Sequence, residues 1–240
     1  MNKKIIGLII ALVVIIAAIV GIVILINNDS LNNNSNDSAK ALGTSITDDN
    51  KTNTNEEKTE NNTEAKKRVL IAYFSRPDEN YNVGTVEVGN TEVMAGFIKD
   101  YLGENADAFK IDPVVAYPAS YDECLDVATN EKNSDARPEF KNSDSLNLNN
   151  YDTIFIGYPI WWGNVPMIIN TFLEKYDFSG KTIIPFNTHE GSGEAGTYSY
   201  IKNKMKSSTV NTNGLALTGK NARQETSRST VENWLKELGY

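Results

Sequence analysis

Between residues 67 and 240, short apolar runs alternate with segments of helical periodicity. Val69 to Phe74 is a continuous apolar run, as expected for a strand that is buried on both faces. Four further runs predict strands over 106–111, 153–158, 182–186 and 213–218. The 3.6-residue period predicts helices over 91–102, 120–130, 165–176, 196–206 and 225–238. Five strands alternating with five helices predict an α/β fold, a doubly wound parallel sheet of order 2-1-3-4-5.

Composition divides the whole chain into three unlike parts. Residues 1–26 are almost entirely apolar with charge +2, residues 27–66 are polar with charge −4, and residues 67–240 are mixed with charge −6. An acidic domain without basic clusters argues against nucleic acid as a partner. The single cysteine, Cys124, excludes an intramolecular disulfide and any multi-cysteine metal site.

The N-terminal part contains a run of 22 residues, Ile5 to Ile26, without a charged or polar side chain. As a helix this run would reach about 33 Å, enough to cross about 30 Å of hydrocarbon. A cleaved signal peptide is the alternative, but its apolar core is usually shorter and its cleavage site lies closer behind. We therefore expect an uncleaved, single-pass anchor in the cell membrane. Because Lys3 and Lys4 precede the run, we expect the globular domain on the extracytoplasmic side.

The polar part, residues 27–66, contains eleven asparagines and neither an aromatic residue nor a proline. A segment of this composition cannot bury enough apolar surface to offset the entropy of ordering it. We expect a disordered linker between the anchor and the domain, with a root-mean-square span of about 35 Å.

Three loops after predicted strands have sequences that packing does not require. Gly89-Asn90-Thr91-Glu92 opens a helix after the first strand, residues 159–164 follow the third, and residues 187–193 follow the fourth. In the predicted strand order these strands are neighbours, so their loops would form one rim at the carboxyl ends of the sheet. Ligands of doubly wound folds bind at such a rim.

Each loop has a chemical interpretation. The N–H groups at a helix start attract phosphate, adjacent tryptophans offer flat faces for a planar ring, and Gly191-Ser192-Gly193 permits close backbone approach. Neither the lysine of a P-loop nor a Gly-x-Gly-x-x-Gly pattern follows the first strand, which disfavours nucleoside triphosphates and dinucleotides. Taken one at a time, the loops have ordinary explanations. The first would be a helix cap, the tryptophans of the second would fill a core, and the third would be an incidental turn. Their predicted co-location favours a planar ligand that carries a phosphate.

At these residues the sequence resembles the flavodoxin family. The resemblance is carried by residues 69–75, 89–92, 157–163 and 188–193, in that order along the chain. It implies a noncovalent FMN that cycles between one oxidised and two reduced forms. By similarity, phosphate would be held by Ser75, Asn90 and Thr91. The ring would be flanked on one side by Pro159, Ile160, Trp161, Trp162 and Gly163, and on the other by Thr188, His189, Glu190, Gly191, Ser192 and Gly193.

One departure from the family pattern lies between Ser75 and Gly89. Flavodoxins have a short phosphate loop directly after the first strand, whereas here the 13 residues from Arg76 to Val88 intervene. This insertion puts the phosphate contact of Ser75 in question and would bring Arg76 or Tyr81 toward the ligand, so Arg76 joins the candidate site. The charge of −6 would disfavour an anionic reduced flavin and so lower its potential.

Three functions are compatible with these features. The first is a membrane-anchored FMN protein that exchanges electrons with a redox partner protein. The second is an FMN-dependent reductase that uses NAD(P)H and a quinone or another small electron acceptor. The third is an interaction module of the same fold that has lost its cofactor, which the retained tryptophans argue against. The sequence leaves open which tryptophan meets the ring.

Overall fold

The computed structural model describes residues 68–240, which are organised around a parallel sheet. The strands in these residues are β1 Val69–Tyr73, β2 Asp78–Asn80, β3 Gly84–Val86, β4 Ala106–Lys110, β5 Thr153–Pro159, β6 Thr182–His189, β7 Thr209–Val210 and β8 Leu215–Thr218. The sheet has the order β4-β1-β5-β6, and both β7 and β8 lie beside β6. All of these pairings are parallel, which confirms the predicted order 2-1-3-4-5.

The fifth position of the sheet is shared by two short strands. β7 pairs with residues 182–183 at the start of β6, and β8 pairs with residues 186–189 at its end. Pro185 lies between the two paired stretches and has no N–H to donate to a ladder. The predicted strand over 213–218 is therefore confirmed as β8, whereas β7 was not predicted.

Helices cover both faces of the sheet. They are α1 Asn90–Leu102, α2 Tyr121–Asn133, α3 Met167–Lys175, α4 Thr197–Lys204, α5 Gly219–Ala222 and α6 Thr226–Glu237. Leu70 of β1 belongs to a core with α3 and α4, whereas Ile71 belongs to a second core with α1 and α6. Successive residues of a strand point to opposite faces, so β1 is buried on both sides. The doubly wound arrangement is confirmed, and α5 is an addition to the predicted helices.

Helix α2 differs from the others in what its buried side packs against. Its buried residues, Cys124 and Ala128, belong to neither core cluster. The spacing of Tyr121, Cys124, Leu125 and Ala128 puts all four on one face of a helix, and such a face is expected to pack on the sheet. In the structure this face lines a cavity instead.

The inserted residues 76–88 form a hairpin of β2 and β3, with Asp78 opposite Val86 and Asn80 opposite Gly84. Within residues 68–240, no helix is both long and apolar enough to cross a membrane. The predicted anchor over residues 5–26 and the linker over 27–66 lie outside the described residues and stay predictions.

Candidate cofactor site

A cavity of about 300 Å³ opens at the carboxyl ends of β1, β5 and β6. This volume is at the lower end of the range for small-molecule sites. Most of the predicted site residues line it: Ser75, Arg76, Asn90, Thr91, Pro159, Ile160, Trp161, Trp162, Thr188, His189 and Glu190. Four predicted residues do not, namely Gly163, Gly191, Ser192 and Gly193. Sequence reasoning had Tyr81 as a possible neighbour of the ligand but missed Asn80, Tyr121, Cys124, Leu125 and Ala128.

The N-terminus of α1 forms the polar end of the cavity. Ser75 Oγ accepts a hydrogen bond from the N–H of Glu92 at 3.0 Å, so this serine caps the helix from the end of β1. The amide N–H groups of Asn90 and Thr91 donate to no group among residues 68–240. Unpaired donors at a helix start, together with the helix dipole, suit an anion such as a phosphate.

Side chains around this helix start tie it to the neighbouring strand end. The hydroxyl groups of Thr91 and Thr188 lie 2.8 Å apart, and both residues are buried. Asn90 Oδ1 accepts a hydrogen bond from Arg223 at 3.4 Å. Ser75, Asn90 and Thr91, which the sequence predicted to hold phosphate, are therefore brought together at one end of the cavity despite the insertion.

Gly89 is needed here because of space. A Cβ at this position would lie 2.3 Å from Ser75 Oγ and 2.4 Å from the Arg76 carbonyl oxygen. We expect Gly89→Ala to lower the free energy of unfolding by about 1–3 kcal/mol, since overpacking forces the backbone to shift. The matched control is Gly96→Ala in the interior of α1, the helix that Gly89 precedes, where a Cβ would meet nothing within 4 Å.

The control should raise the free energy of unfolding by about 0.5–1 kcal/mol, the usual gain from alanine in a helix interior. Thermal or urea unfolding of both variants, together with FMN titration, provides the measurement. Equal effects of the two substitutions on unfolding would show that the close approach at Gly89 does not constrain this loop.

The two tryptophans occupy different positions in the loop after β5. Trp161 and Asn164 exchange backbone hydrogen bonds of 3.0 and 2.9 Å, which closes a two-residue turn. The two central residues, Trp162 and Gly163, have φ angles of 51° and 67°, as a type I′ turn requires. Trp162 is 49% exposed at the tip of this turn, with one side on the cavity. A tryptophan in this left-handed conformation is strained, and such strain is typical of ligand sites.

Trp161 is half-buried and packs against the core of the domain. Its ring makes edge-to-face contacts with Phe74 at 5.3 Å and Tyr117 at 5.0 Å between centroids. These contacts leave only part of Trp161 at the cavity surface. The structure therefore distinguishes the two residues: Trp161 packs against the core, and Trp162 presents an exposed aromatic surface at the cavity.

The glycine-bearing loop after β6 is organised by His189. Its Nδ1 accepts hydrogen bonds from the N–H groups of Gly191 at 2.9 Å and Gly193 at 3.1 Å. Burial lowers the pKa of His189, although Glu190 opposes this shift, so the neutral ring that accepts at Nδ1 is favoured. The amides of Gly191 and Gly193, which we expected to face a ligand, instead donate to His189 within the loop. Residues 191–193 accordingly do not line the cavity.

The hairpin and helix α2 form the side of the cavity that the sequence did not reveal. The rings of Tyr81 and Tyr121 lie 5.7 Å apart with an interplanar angle of 30°. Tyr121 N–H donates to the Glu79 carboxylate at 2.9 Å, which joins the hairpin to α2. One feature of the sequence could have indicated this side of the cavity. Tyr121, Cys124 and Ala128, on one face of α2, are smaller or more polar than the residues of a helix that packs on a sheet.

The amides of Asn90 and Thr91, which donate to no group among residues 68–240, and the exposed ring of Trp162 border one cavity whose chemistry suits a planar ligand with a phosphate. A family model described as flavodoxin matches residues 68–238. The chain belongs to the flavodoxin family. FMN is the cofactor of this family and hence of this domain.

Solved structures from two Bacteroides species are similar to this chain. A provisionally assigned flavoprotein from Bacteroides eggerthii DSM 20697 is 27% identical with a TM-score of 0.57, covering 72% of this chain and 98% of that one. A second, from Bacteroides uniformis ATCC 8492, is 28% identical with a TM-score of 0.55, covering 71% and 98%. The chain has no significant match among curated protein sequences.

Proposed function

We propose that the cavity holds FMN with its phosphate at the N-terminus of α1 and its ring beside Trp162. In this proposal the chain exchanges electrons with a redox partner protein at the outer face of the cell membrane. One observation carries it: the exposed ring of Trp162 borders the same cavity as the amides of Asn90 and Thr91, which have no acceptor among residues 68–240. When bound, FMN supplies the reversible electron acceptor, and the protein supplies orientation and electrostatics.

The membrane part of the proposal depends on residues 5–26, whose composition suits a spanning helix. The polar residues 27–66 would separate the domain from the bilayer, and Lys3 and Lys4 favour a cytoplasmic N-terminus. Protease added to intact cells should release a fragment that contains residues 68–240. Complete protection that is lost only after lysis would reverse the proposed orientation.

A reductase of small acceptors is the second candidate. It is favoured by the open mouth of the cavity, where Tyr81 is 56% exposed and Trp162 is 49% exposed. A small quinone or a nicotinamide could approach a bound ring between these two aromatic residues. The carrier and the reductase share the FMN site and differ in what delivers and removes the electrons.

The full-length protein, purified in detergent, tests the two candidates. We expect visible absorption bands of bound flavin, either as purified or after addition of FMN. Under anaerobic conditions, a carrier should be reduced slowly by NAD(P)H alone, whereas rapid reduction would favour the reductase. A protein that shows no flavin bands even after FMN addition would contradict both and support a cofactor-free interaction module.

A further inference from the structure

Arg76 has an unusual environment among the arginines of the domain. Its side chain is buried, with 7% exposure, and it forms no ion pair with a carboxylate of residues 68–240. By contrast, Arg68, Arg137 and Arg228 are paired with carboxylates, and Arg223, which has no such pair among residues 68–240, is exposed to water. Burying an unpaired charge is costly, so such a group at a cavity points to a negative charge that the ligand provides.

Backbone carbonyl groups hold the guanidinium in place. Arg76 donates to the Pro118 oxygen at 3.1 and 2.6 Å, to Ala119 at 2.7 Å and to Ser120 at 3.2 Å, and it also donates to Glu79 O. These neutral acceptors fix its position between the hairpin and the start of α2. They do not cancel its full positive charge.

The charge of Arg76 acts on the cavity. Burial raises the pKa of the Cys124 thiol and of Tyr121, and the positive charge of Arg76 opposes that rise at both groups. The one carboxylate among the cavity-lining residues, Glu190, is exposed and therefore screened by water. The Glu79 side chain is also exposed. Helix α2 itself carries four carboxylates and one lysine, and two of these carboxylates, Asp122 and Glu131, oppose Arg76 at Tyr121 and Cys124 respectively. Arg76 is therefore a buried positive charge at the α2 side of the cavity, in a domain that carries −6.

We propose that the buried guanidinium of Arg76 stabilises negative charge on the reduced flavin ring and so raises the reduction potential of the bound flavin. The inference rests on the proposed function, since it requires FMN in this cavity. Two-electron reduction with two protons produces a neutral reduced flavin, and with one proton it produces an anion. Arg76 favours the second outcome, in opposition to the overall acidity of the domain.

The phosphate is the other negative part of FMN. The Arg76 guanidinium is held by carbonyl groups of residues 118–120, which precede α2, and by that of Glu79 in the hairpin; none of its hydrogen-bond partners among residues 68–240 belongs to α1. The unpaired amides of α1 already suit the phosphate. We therefore assign the guanidinium to the ring.

Two variants of the full-length protein separate charge from structure. Arg76→Met removes the charge at similar length, whereas Arg76→Lys keeps the charge and loses part of the hydrogen bonding. Affinities for oxidised FMN and riboflavin are measured by fluorescence titration, and midpoint potentials by anaerobic spectroelectrochemistry with added mediators. Riboflavin lacks the phosphate, so it isolates interactions with the ring.

With Arg76→Met, affinity for reduced flavin should fall at least tenfold more than affinity for oxidised flavin. A tenfold difference between these two losses corresponds to a decrease of about 30 mV in the two-electron reduction potential of the bound flavin. The ratio of the two affinity losses should be the same for FMN and riboflavin. In Arg76→Lys this ratio should be less than threefold. An effect seen with FMN alone would assign Arg76 to the phosphate and overturn the proposal, as would equal shifts in both variants.

The wild-type protein provides a test that does not depend on folding of the variants. At pH 6, the pH dependence of its midpoint potential should show one proton taken up per two electrons. Uptake of two protons would overturn the proposal while leaving FMN binding intact. Failure of the wild-type protein to bind any flavin would instead contradict the proposed function itself.

Discussion

Replacement of Trp161 by alanine is expected to lower the free energy of unfolding by about 2 kcal/mol, less than for a fully buried aromatic residue because Trp161 is half-buried. The ring packs edge-to-face against both Phe74 and Tyr117, with centroids 5.3 and 5.0 Å away. Its removal deprives both rings of these contacts and exposes them to the adjoining cavity. Urea unfolding of the flavin-free protein, followed by circular dichroism, measures the loss.

Trp161→Phe is the matched control, because it retains an aromatic ring at the same site. We expect it to keep at least half of the stability that the alanine variant loses. If Trp161→Ala unfolds at the wild-type urea concentration, the tryptophan does not support the core, and our distinction between the two tryptophans is wrong.

The neighbouring residue should respond in the opposite direction. Trp162→Asn is expected to raise the free energy of unfolding of the flavin-free protein by about 0.5–1 kcal/mol, because asparagine tolerates the left-handed conformation of the turn better. The gain is reduced by loss of the contact with Lys132, whose Nζ lies 6.0 Å from the ring centroid. The same substitution should weaken FMN binding about tenfold or more, since stacking on an aromatic side chain contributes about 1–3 kcal/mol.

Trp162→Phe separates these two effects. It keeps an aromatic face and the strained φ of 51°, so it should retain most of the FMN affinity without a gain in stability. FMN titration by fluorescence and thermal unfolding without flavin provide both values. Unchanged affinity in Trp162→Asn would remove Trp162 from the ring site.

In this loop, two adjacent residues have different roles: Trp161 contributes to the stability of the fold, and Trp162 is expected to contribute to FMN binding. Backbone strain at Trp162 keeps an aromatic face at the mouth of the cavity, and packing at Trp161 holds the turn that carries it. Strain of this kind persists only where surrounding structure over-determines the conformation. The reciprocal hydrogen bonds between Trp161 and Asn164 provide that restraint.

Much of the fold followed from local patterns. The apolar run at β1 and the periodicity of α1 and α3 depend on which faces are buried, and those faces repeat along short stretches of chain. The split fifth strand could not be predicted in this way. Its two parts depend on register with β6 and on the position of Pro185, which are contacts between distant segments.

The site shows the same division. Local sequence was sufficient to locate three loops at one rim and to infer a planar ligand with a phosphate, because strand order places the carboxyl ends of neighbouring strands together. The rest depended on the folded structure. His189 accepts hydrogen bonds from the amides of Gly191 and Gly193, so these amides do not face the cavity. Cys124 and Ala128 of α2 line the cavity instead of packing on the sheet. Whether Trp161 or Trp162 was free for a ligand depended on Phe74 and Tyr117, which are remote in sequence and adjacent only in the folded domain.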